Sequence, residues 1–128
     1  MFLTKFPQRL ADIDWPTNAW VGTTVDEQYR VKIAEKAFEH VNAPVTWVSC
    51  EPLREDLTFE RLDLFDWVVI GGQTKSTREP AFQPPWAWIE HLWQQTREAG
   101  CLLYWKPNLL TRPLEYPRGV RVTHPVAC

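Results

Sequence analysis

The residues best placed to do chemistry stand directly after short apolar runs of the sequence. Glu51 follows the run 45–50, and Lys106 follows the run 101–105. Continuous apolar runs of this length predict strands buried on both faces, and parallel α/β folds carry their binding residues at the C-terminal ends of such strands. A carboxylate at that place needs a partner for its charge, which Lys5 or Lys106 could supply. Glu51 and Lys106 are therefore the catalytic candidates, and a salt bridge that only ties strand ends together is the alternative.

The same rule gives a set of ligand-binding candidates at the ends of the other apolar runs. The Gly71-Gly72 pair allows close approach of the backbone to a ligand, and the polar residues after it offer donors to an anion. The pair lacks the spacing of a dinucleotide or P-loop fingerprint, so a tight turn without a ligand is the alternative. The candidates for ligand binding are Lys5, Asp26, Cys50, Gly71, Gly72 and Gln73.

The cysteines and histidines predict neither a nucleophile nor a metal site. Cys50 has no histidine near it in sequence to act as a base, which favours a buried, inert thiol. The three cysteines and three histidines show no C-x-x-C or H-x-x-x-H spacing, so we expect no metal and no cofactor held by this chain alone. An odd number of cysteines in a chain without a signal peptide predicts reduced thiols in the cytoplasm.

Charge and composition exclude several classes of partner. The formal net charge is -2, with both signs interspersed, which does not indicate nucleic acid or an anionic lipid surface. No apolar run approaches the roughly 20 residues that span a bilayer. Eight tryptophans are many for 128 residues. We expect them to fill the core, with a stacking surface for bases or a partner as the alternative.

The pattern of elements predicts an α/β fold with a mostly parallel β-sheet of about five strands and crossover helices. The strands are expected at 2–4, 19–25, 45–50, 67–70 and 101–105. Helical spacing predicts helices at 27–41, capped by Asp26, and at 85–99, ended by Gly100. The short, charged connection between 53 and 65 has room for a turn or two of helix around 55–62 at most. We divide the chain into a domain at 1–108 and a proline-rich, irregular tail at 109–128. The chain is short for a complete barrel of roughly 250 residues, which favours a partial one.

Several of these segments together resemble a known family. They are Leu3-Thr4-Lys5, the run 20–25, Ser49-Cys50-Glu51-Pro52-Leu53, the run 66–72 and Lys106. The chain resembles a phage and prophage protein family known by the paired names gp thirty-seven and gp sixty-eight, which looks like a divergent relative of the radical S-adenosylmethionine barrels and has no described function. The resemblance covers roughly 2–106 and implies a partial TIM-like, radical-SAM-like barrel.

Departures from the family change what the resemblance implies. Relatives carry further strands and an N-terminal segment of closely spaced cysteines thought to hold an iron-sulfur cluster, whereas this chain begins at Leu3-Thr4-Lys5. Asp26 and Gln73 stand where relatives usually have Glu, and Trp105-Lys106-Pro107 replaces Phe-Lys-Gln. We therefore expect no independent radical-SAM activity, because the thiolates that would hold the iron are not encoded here. Whether the chain is an enzyme is left open.

Two functional hypotheses follow. The first is a phage-type protein, the C-terminal part of a radical-SAM-like barrel, that binds a small ligand at the rim of strand ends only with a partner or as an oligomer. The second is a non-enzymatic phage accessory factor that docks a host protein. An open sheet cut from a barrel exposes two edges. A second copy of the chain bound at the Phe2 edge is the favoured cover, and a missing N-terminal half is the other candidate.

Overall fold

The structure, a computed structural model, describes residues 1–110, which form a parallel sheet with two α-helices. All neighbouring strands are parallel, and their order in the sheet follows the chain, β1-β2-β3-β4-β5. This confirms the predicted α/β class and the five-stranded parallel sheet. The strands are β1 (Phe2–Thr4), β2 (Trp20–Thr24), β3 (Val45–Cys50), β4 (Trp67–Ile70) and β5 (Leu102–Trp105), and the helices are α1 (Tyr29–Phe38) and α2 (Trp86–Ala99). Two short 3-10 helices cover Pro7–Asp12 and Leu62–Leu64.

One face of the sheet packs against both helices and makes the hydrophobic core. Val48, Val68 and Leu103 are in register on β3, β4 and β5, so their side chains point to the same face. All three belong to the core cluster, together with the buried residues of α1 and α2. Trp93 of α2 meets Trp105 edge to face, with ring centroids 4.8 Å apart. Alternate residues of these apolar runs are buried against the helix layer. This burial explains why the runs form strands.

Other tryptophans lie on the opposite face of the sheet. Trp47 is buried and in register with Gly22, where a Cβ atom would collide with the Trp47 indole. Trp20 and Trp67 meet edge to face on the same side, with centroids 5.5 Å apart. These rings pack on the sheet and on each other.

The first helix is shorter than the predicted 27–41, and its cap is different. It begins at Tyr29 after Gln28, and no side chain caps its first turn. Asp26 does not cap the helix because its carboxylate pairs with Arg30, with Oδ1 2.9 Å from Nε. The second helix agrees closely with the predicted 85–99 and ends, as expected, at Gly100, whose φ of 75° is left-handed.

The turn or two of helix for which the segment 55–62 has room does not form. The chain there is irregular until the 3-10 turn Leu62–Leu64. Its backbone is held by the buried Glu35 of α1, whose Oε2 accepts hydrogen bonds from the amides of Glu60 and Arg61. A tertiary contact from a distant helix therefore replaces the local helical bonds expected from the sequence.

Closure into a barrel and the division into domains stay predictions. β1 and β5 are the two edges of the sheet formed by residues 1–110. The predicted irregular tail falls on 109–128, of which residues 111–128 lie outside the described part. No helix in residues 1–110 is both long and apolar enough to cross a membrane.

Candidate functional site

An open groove lies where the C-terminal ends of the strands meet, with a volume of about 310 Å³. The sequence candidates that line it are Lys5, Asp26, Glu51, Gly72 and Gln73. They follow β1, β2, β3 and β4, and the parallel sheet places these four strand ends at one rim. Three further polar residues that sequence reasoning missed also line it: Arg54, Glu79 and Asn108.

Glu51 is paired with Lys106 at one wall of the groove. The Lys106 ammonium Nζ lies 2.9 Å from Oε2 of Glu51 and 3.2 Å from Oε1. Asn108 Nδ2 donates to the same Oε1 over 3.4 Å and to the carbonyl oxygen of Gly72 over 2.8 Å. The side chains of Glu51 and Lys106 are 26% and 33% exposed, so solvent or a ligand can reach both. The two catalytic candidates thus form one half-buried acid–base pair.

The two glycines provide space for side chains. A Cβ atom at Gly71 would lie 2.9 Å from Cγ of Glu51, and one at Gly72 would lie 2.5 Å from Nε2 of Gln83. Neither glycine has a positive φ, so their backbone conformation is open to other residues. Gly71 itself lies beneath Glu51, whereas Gly72 lines the groove.

Arg54 is the centre of a second polar cluster that lines the groove. Its guanidinium donates to Oε1 of Gln73, lies 3.4 Å from Oε2 of Glu79 and is 3.9 Å from Oδ2 of Asp26. Gln73 Nε2 also donates to Oε2 of Glu79 over 2.7 Å. The backbone groups of Gln73 and Phe82 exchange two hydrogen bonds of 2.8 and 2.9 Å, which folds the loop after β4 back toward the groove. This loop brings Glu79 to Arg54.

Lys5 and Cys50 have different positions relative to the groove. The exposed Lys5 lines it, and its ammonium has no hydrogen bond or ion pair with any residue in 1–110. Cys50 is completely buried in the core on the helix side, and only its backbone oxygen is near the rim, where it accepts from the amide of Gly71 over 3.1 Å. Burial, with the negative charge of Asp26 added, raises the pKa of the Cys50 thiol far above its ordinary value.

The described residues do not fit the iron-sulfur cluster that the resemblance attaches to relatives. Within 1–110, no three His, Cys, Asp or Glu side chains are grouped as metal ligands would be. Cys50 ends β3, whereas Cys101 precedes β5, and parallel strands put these two positions at opposite ends of the sheet. Cys101 donates to the carbonyl oxygens of Leu62 and Phe65 inside the core.

The missed groove residues differ in how far the sequence signals them. Arg54 and Asn108 stand two or three positions beyond the strand-end candidates Glu51 and Lys106, so a wider window after each strand would have included them. Glu79 stands six positions after Gln73 in a polar loop and carries no signal of its own. Only the hairpin that returns at Phe82 places it at the site.

Comparison with known proteins gives a family for the chain. Residues 1–108 match the family described as "Protein of unknown function (DUF5131)". The chain belongs to this DUF5131 family. No curated protein and no solved structure matches it.

The DUF5131 match includes every residue that lines the groove, from Lys5 to Asn108. The family description assigns no function, so it is compatible with the undescribed function of the phage family that the chain resembles. The phage origin and the radical-SAM likeness stay predictions.

Proposed function

We propose that this DUF5131 protein binds a small polar molecule in the groove at its strand ends, as the C-terminal part of a radical-SAM-like barrel that works with a partner or as an oligomer. The observation that carries the proposal is that polar residues after all five strands converge there. They are Lys5, Asp26, Glu51, Gln73 and Lys106, the last through its ion pair with Glu51. Ligands of parallel α/β folds bind at this end of the sheet.

The size and lining of the groove favour a small, polar ligand. Its 310 Å³ lies at the lower end of the range of about 300–1,000 Å³ that is typical of small-molecule sites. Charged and amide side chains dominate the walls, so recognition depends on hydrogen bonds and charge. The strand order, sequential and parallel as in a barrel, supports the partial barrel.

Glu51 and Lys106 are the residues that we assign to any reaction in the groove. The Glu51 carboxylate can accept a proton or a hydrogen bond from the ligand, and the Lys106 ammonium can balance negative charge that develops beside it. The buried Cys50 thiol takes no part, because it faces the core and its raised pKa keeps it protonated.

The β1 edge supports the oligomeric part of the proposal. Phe2 and Leu3 of this edge strand are 42% and 47% exposed, and the nearby Phe6 is 74% exposed. Exposed apolar side chains beside unpaired strand edges are surfaces that another chain can cover. A second copy bound at this edge is the arrangement we propose. We also propose a cytoplasmic location, in which the free thiols of Cys50 and Cys101 would stay reduced.

The test of ligand binding is an NMR screen of small polar compounds against the wild type and two lysine variants. Saturation transfer should identify a compound that binds the wild type and loses most of its signal with Lys5→Gln. The matched control is Lys32→Gln, which removes the same charge from the exposed side of α1. Equal binding to both variants, or no binder among compounds that fit the groove, would contradict the proposal.

A second candidate is a non-enzymatic phage accessory factor that docks a host protein at the β1 edge. The same exposed Phe2, Leu3 and Phe6 favour it. Light scattering separates the two arrangements. A concentration-dependent dimer that Phe2→Ser converts to a monomer supports self-association, whereas a wild-type monomer with no groove ligand favours docking.

A further inference from the structure

We propose that the ligand carries a carboxylate or phosphate group, and that Glu79 occupies the subsite of this group until the ligand displaces it. The inference rests on the proposed function and concerns the same groove. It assigns Arg54 and Gln73 as donors to the acidic group of the ligand.

The Glu79 carboxylate is bound as the acidic group of a ligand would be. Its Oε2 accepts from Nε2 of Gln73 over 2.7 Å and lies 3.4 Å from Nη2 of Arg54. A guanidinium and an amide that converge on one oxygen form a typical site for carboxylate or phosphate. The Glu79 side chain is 57% exposed, so the exchange of its carboxylate for another anion costs little, because exposed ion pairs contribute only about 0–1 kcal/mol.

The two donors are held in place by contacts that do not involve Glu79. The backbone amide of Arg54 donates to the carbonyl oxygen of Asp26 over 3.1 Å, and its guanidinium donates to Oε1 of Gln73. The backbone of Gln73 is fixed by its two hydrogen bonds with Phe82, and its side-chain Nε2 also donates to the carbonyl oxygen of Pro80 over 3.0 Å. Departure of Glu79 therefore leaves Arg54 and Gln73 in position, and the site is preorganised for an incoming anion.

Glu79 is on a turn whose hydrogen bonds are mostly local. The Ser76 amide donates to the Glu79 carbonyl over 2.9 Å, and the Glu79 amide donates to Oγ of Ser76 over 3.1 Å. Residues 74–81 are all exposed. Rotation of the Glu79 side chain, or movement of this turn, exposes no core residue.

The charges in the groove favour an anion once Glu79 has left. The other two carboxylates of the lining have close cations of their own, since Asp26 pairs with Arg30 and Glu51 pairs with Lys106, each at 2.9 Å. Among carboxylates, the Arg54 guanidinium then keeps only its 3.9 Å contact with Asp26, and the Lys5 ammonium has no hydrogen bond or ion pair in residues 1–110. Two cationic groups thus face the space that the ligand fills.

The experiment is a titration with inorganic phosphate at constant ionic strength, followed by the amide NMR signals of Gly72 and Gln73. Glu79→Gln should bind phosphate about two- to fivefold more tightly than the wild type, as expected from loss of one exposed competing ion pair. Glu79→Ala should do the same, which guards against a special effect of glutamine. The control Glu90→Gln, on an exposed position of α2, should leave Kd unchanged. Arg54→Gln combined with Glu79→Gln should abolish binding.

The outcomes separate the inference from the proposed function. Equal Kd values of phosphate for the wild type, Glu79→Gln and Glu79→Ala would overturn the claim that the ligand displaces Glu79. Absence of phosphate binding from every variant would overturn the acidic subsite. In both cases a compound whose binding depends on Lys5 would still support the groove as a ligand site.

Discussion

The Lys106 ammonium lies 2.9 Å from Oε2 of Glu51, across the end of a strand that separates their own strands in the sheet. The two residues are 55 positions apart in sequence. Glu51 can extend over the end of β4 because Gly71 has no side chain there. The ion pair between Glu51 and Lys106 therefore depends on the absence of a side chain at Gly71.

Gly71→Ala should destabilise the protein by about 1–3 kcal/mol, the usual cost of overpacking. The new methyl group would lie 2.9 Å from Cγ of Glu51 and force it away from Lys106. Urea unfolding of the wild type and the variant measures the loss. In a Glu51→Ala background most of this loss of stability from Gly71→Ala should disappear, because the Cγ atom that clashes with the new methyl group is absent. A full penalty that persists there would show that Gly71 is needed for another reason.

Cys50 and Cys101 should resist alkylation in the folded protein. Burial raises the pKa of both thiols, that of Cys101 to about 11, with Asp66 and Asp63 adding to the effect. Only about a thousandth of Cys101 is then thiolate at pH 8, and thiolate is the reactive form. Iodoacetamide treatment followed by peptide mass spectrometry should modify both residues only after denaturation. Rapid labelling of Cys50 in the folded state would contradict its position in the core.

The unfolding free energy of the wild type should increase relative to that of a Glu35→Gln variant as the pH becomes mildly acidic. Burial raises the pKa of this carboxyl in the folded state, although the amides of Arg61 and Glu60 oppose the shift. The folded state then binds the proton at higher pH than the unfolded state does, so stability contributed by the protonated group is present at low pH and is lost as pH rises through the folded pKa. Unfolding free energies of both proteins from pH 7 to 4 test this.

The difference between wild type and Glu35→Gln should move in favour of the wild type as pH falls through this range. The glutamine keeps one oxygen that can accept from the amides of Glu60 and Arg61, so the comparison isolates the titration. A difference that does not change with pH would contradict the raised pKa.

Gly100→Val should shorten α2 and lower the unfolding free energy by more than about 1 kcal/mol, because a β-branched residue is strained at a φ of 75°. Gly100→Asn should cost less, since asparagine tolerates the left-handed region. No side chain obstructs a Cβ at this position, so the difference between the two variants reports backbone conformation alone. Equal stability of Gly100→Val and the wild type would contradict the cap.

Most of the fold could be predicted from the sequence because apolar runs and local backbone preferences determine where the strands and α2 lie. The five apolar runs became the five strands, and α2 was delimited by Pro85 and Gly100, whose backbone preferences act locally. The predictions that differ from the structure are those that depend on contacts between distant parts of the chain. Asp26 was expected to cap α1 and instead pairs with Arg30 and Arg54, and the segment around 55–62 is held by Glu35 of a distant helix.

The candidate site was predictable in outline from the rule that binding residues follow parallel strands. This rule placed Lys5, Asp26, Glu51 and Gln73 at one groove. It could not give side-chain direction, so it included Cys50, whose side chain points to the core. It also could not give the return of the loop after β4, and therefore Glu79 was missed.

The most direct test of the groove as the ligand site is chemical-shift mapping with the best compound from the saturation-transfer screen. The account predicts shifts concentrated at the amides of Gly71, Gly72 and Gln73, with the amide of Lys32 unmoved, and loss of those shifts in Lys5→Gln. Shifts centred on the β1 edge at Phe2 and Leu3, with the glycine amides unchanged, would contradict it and identify the sheet edge as the functional surface.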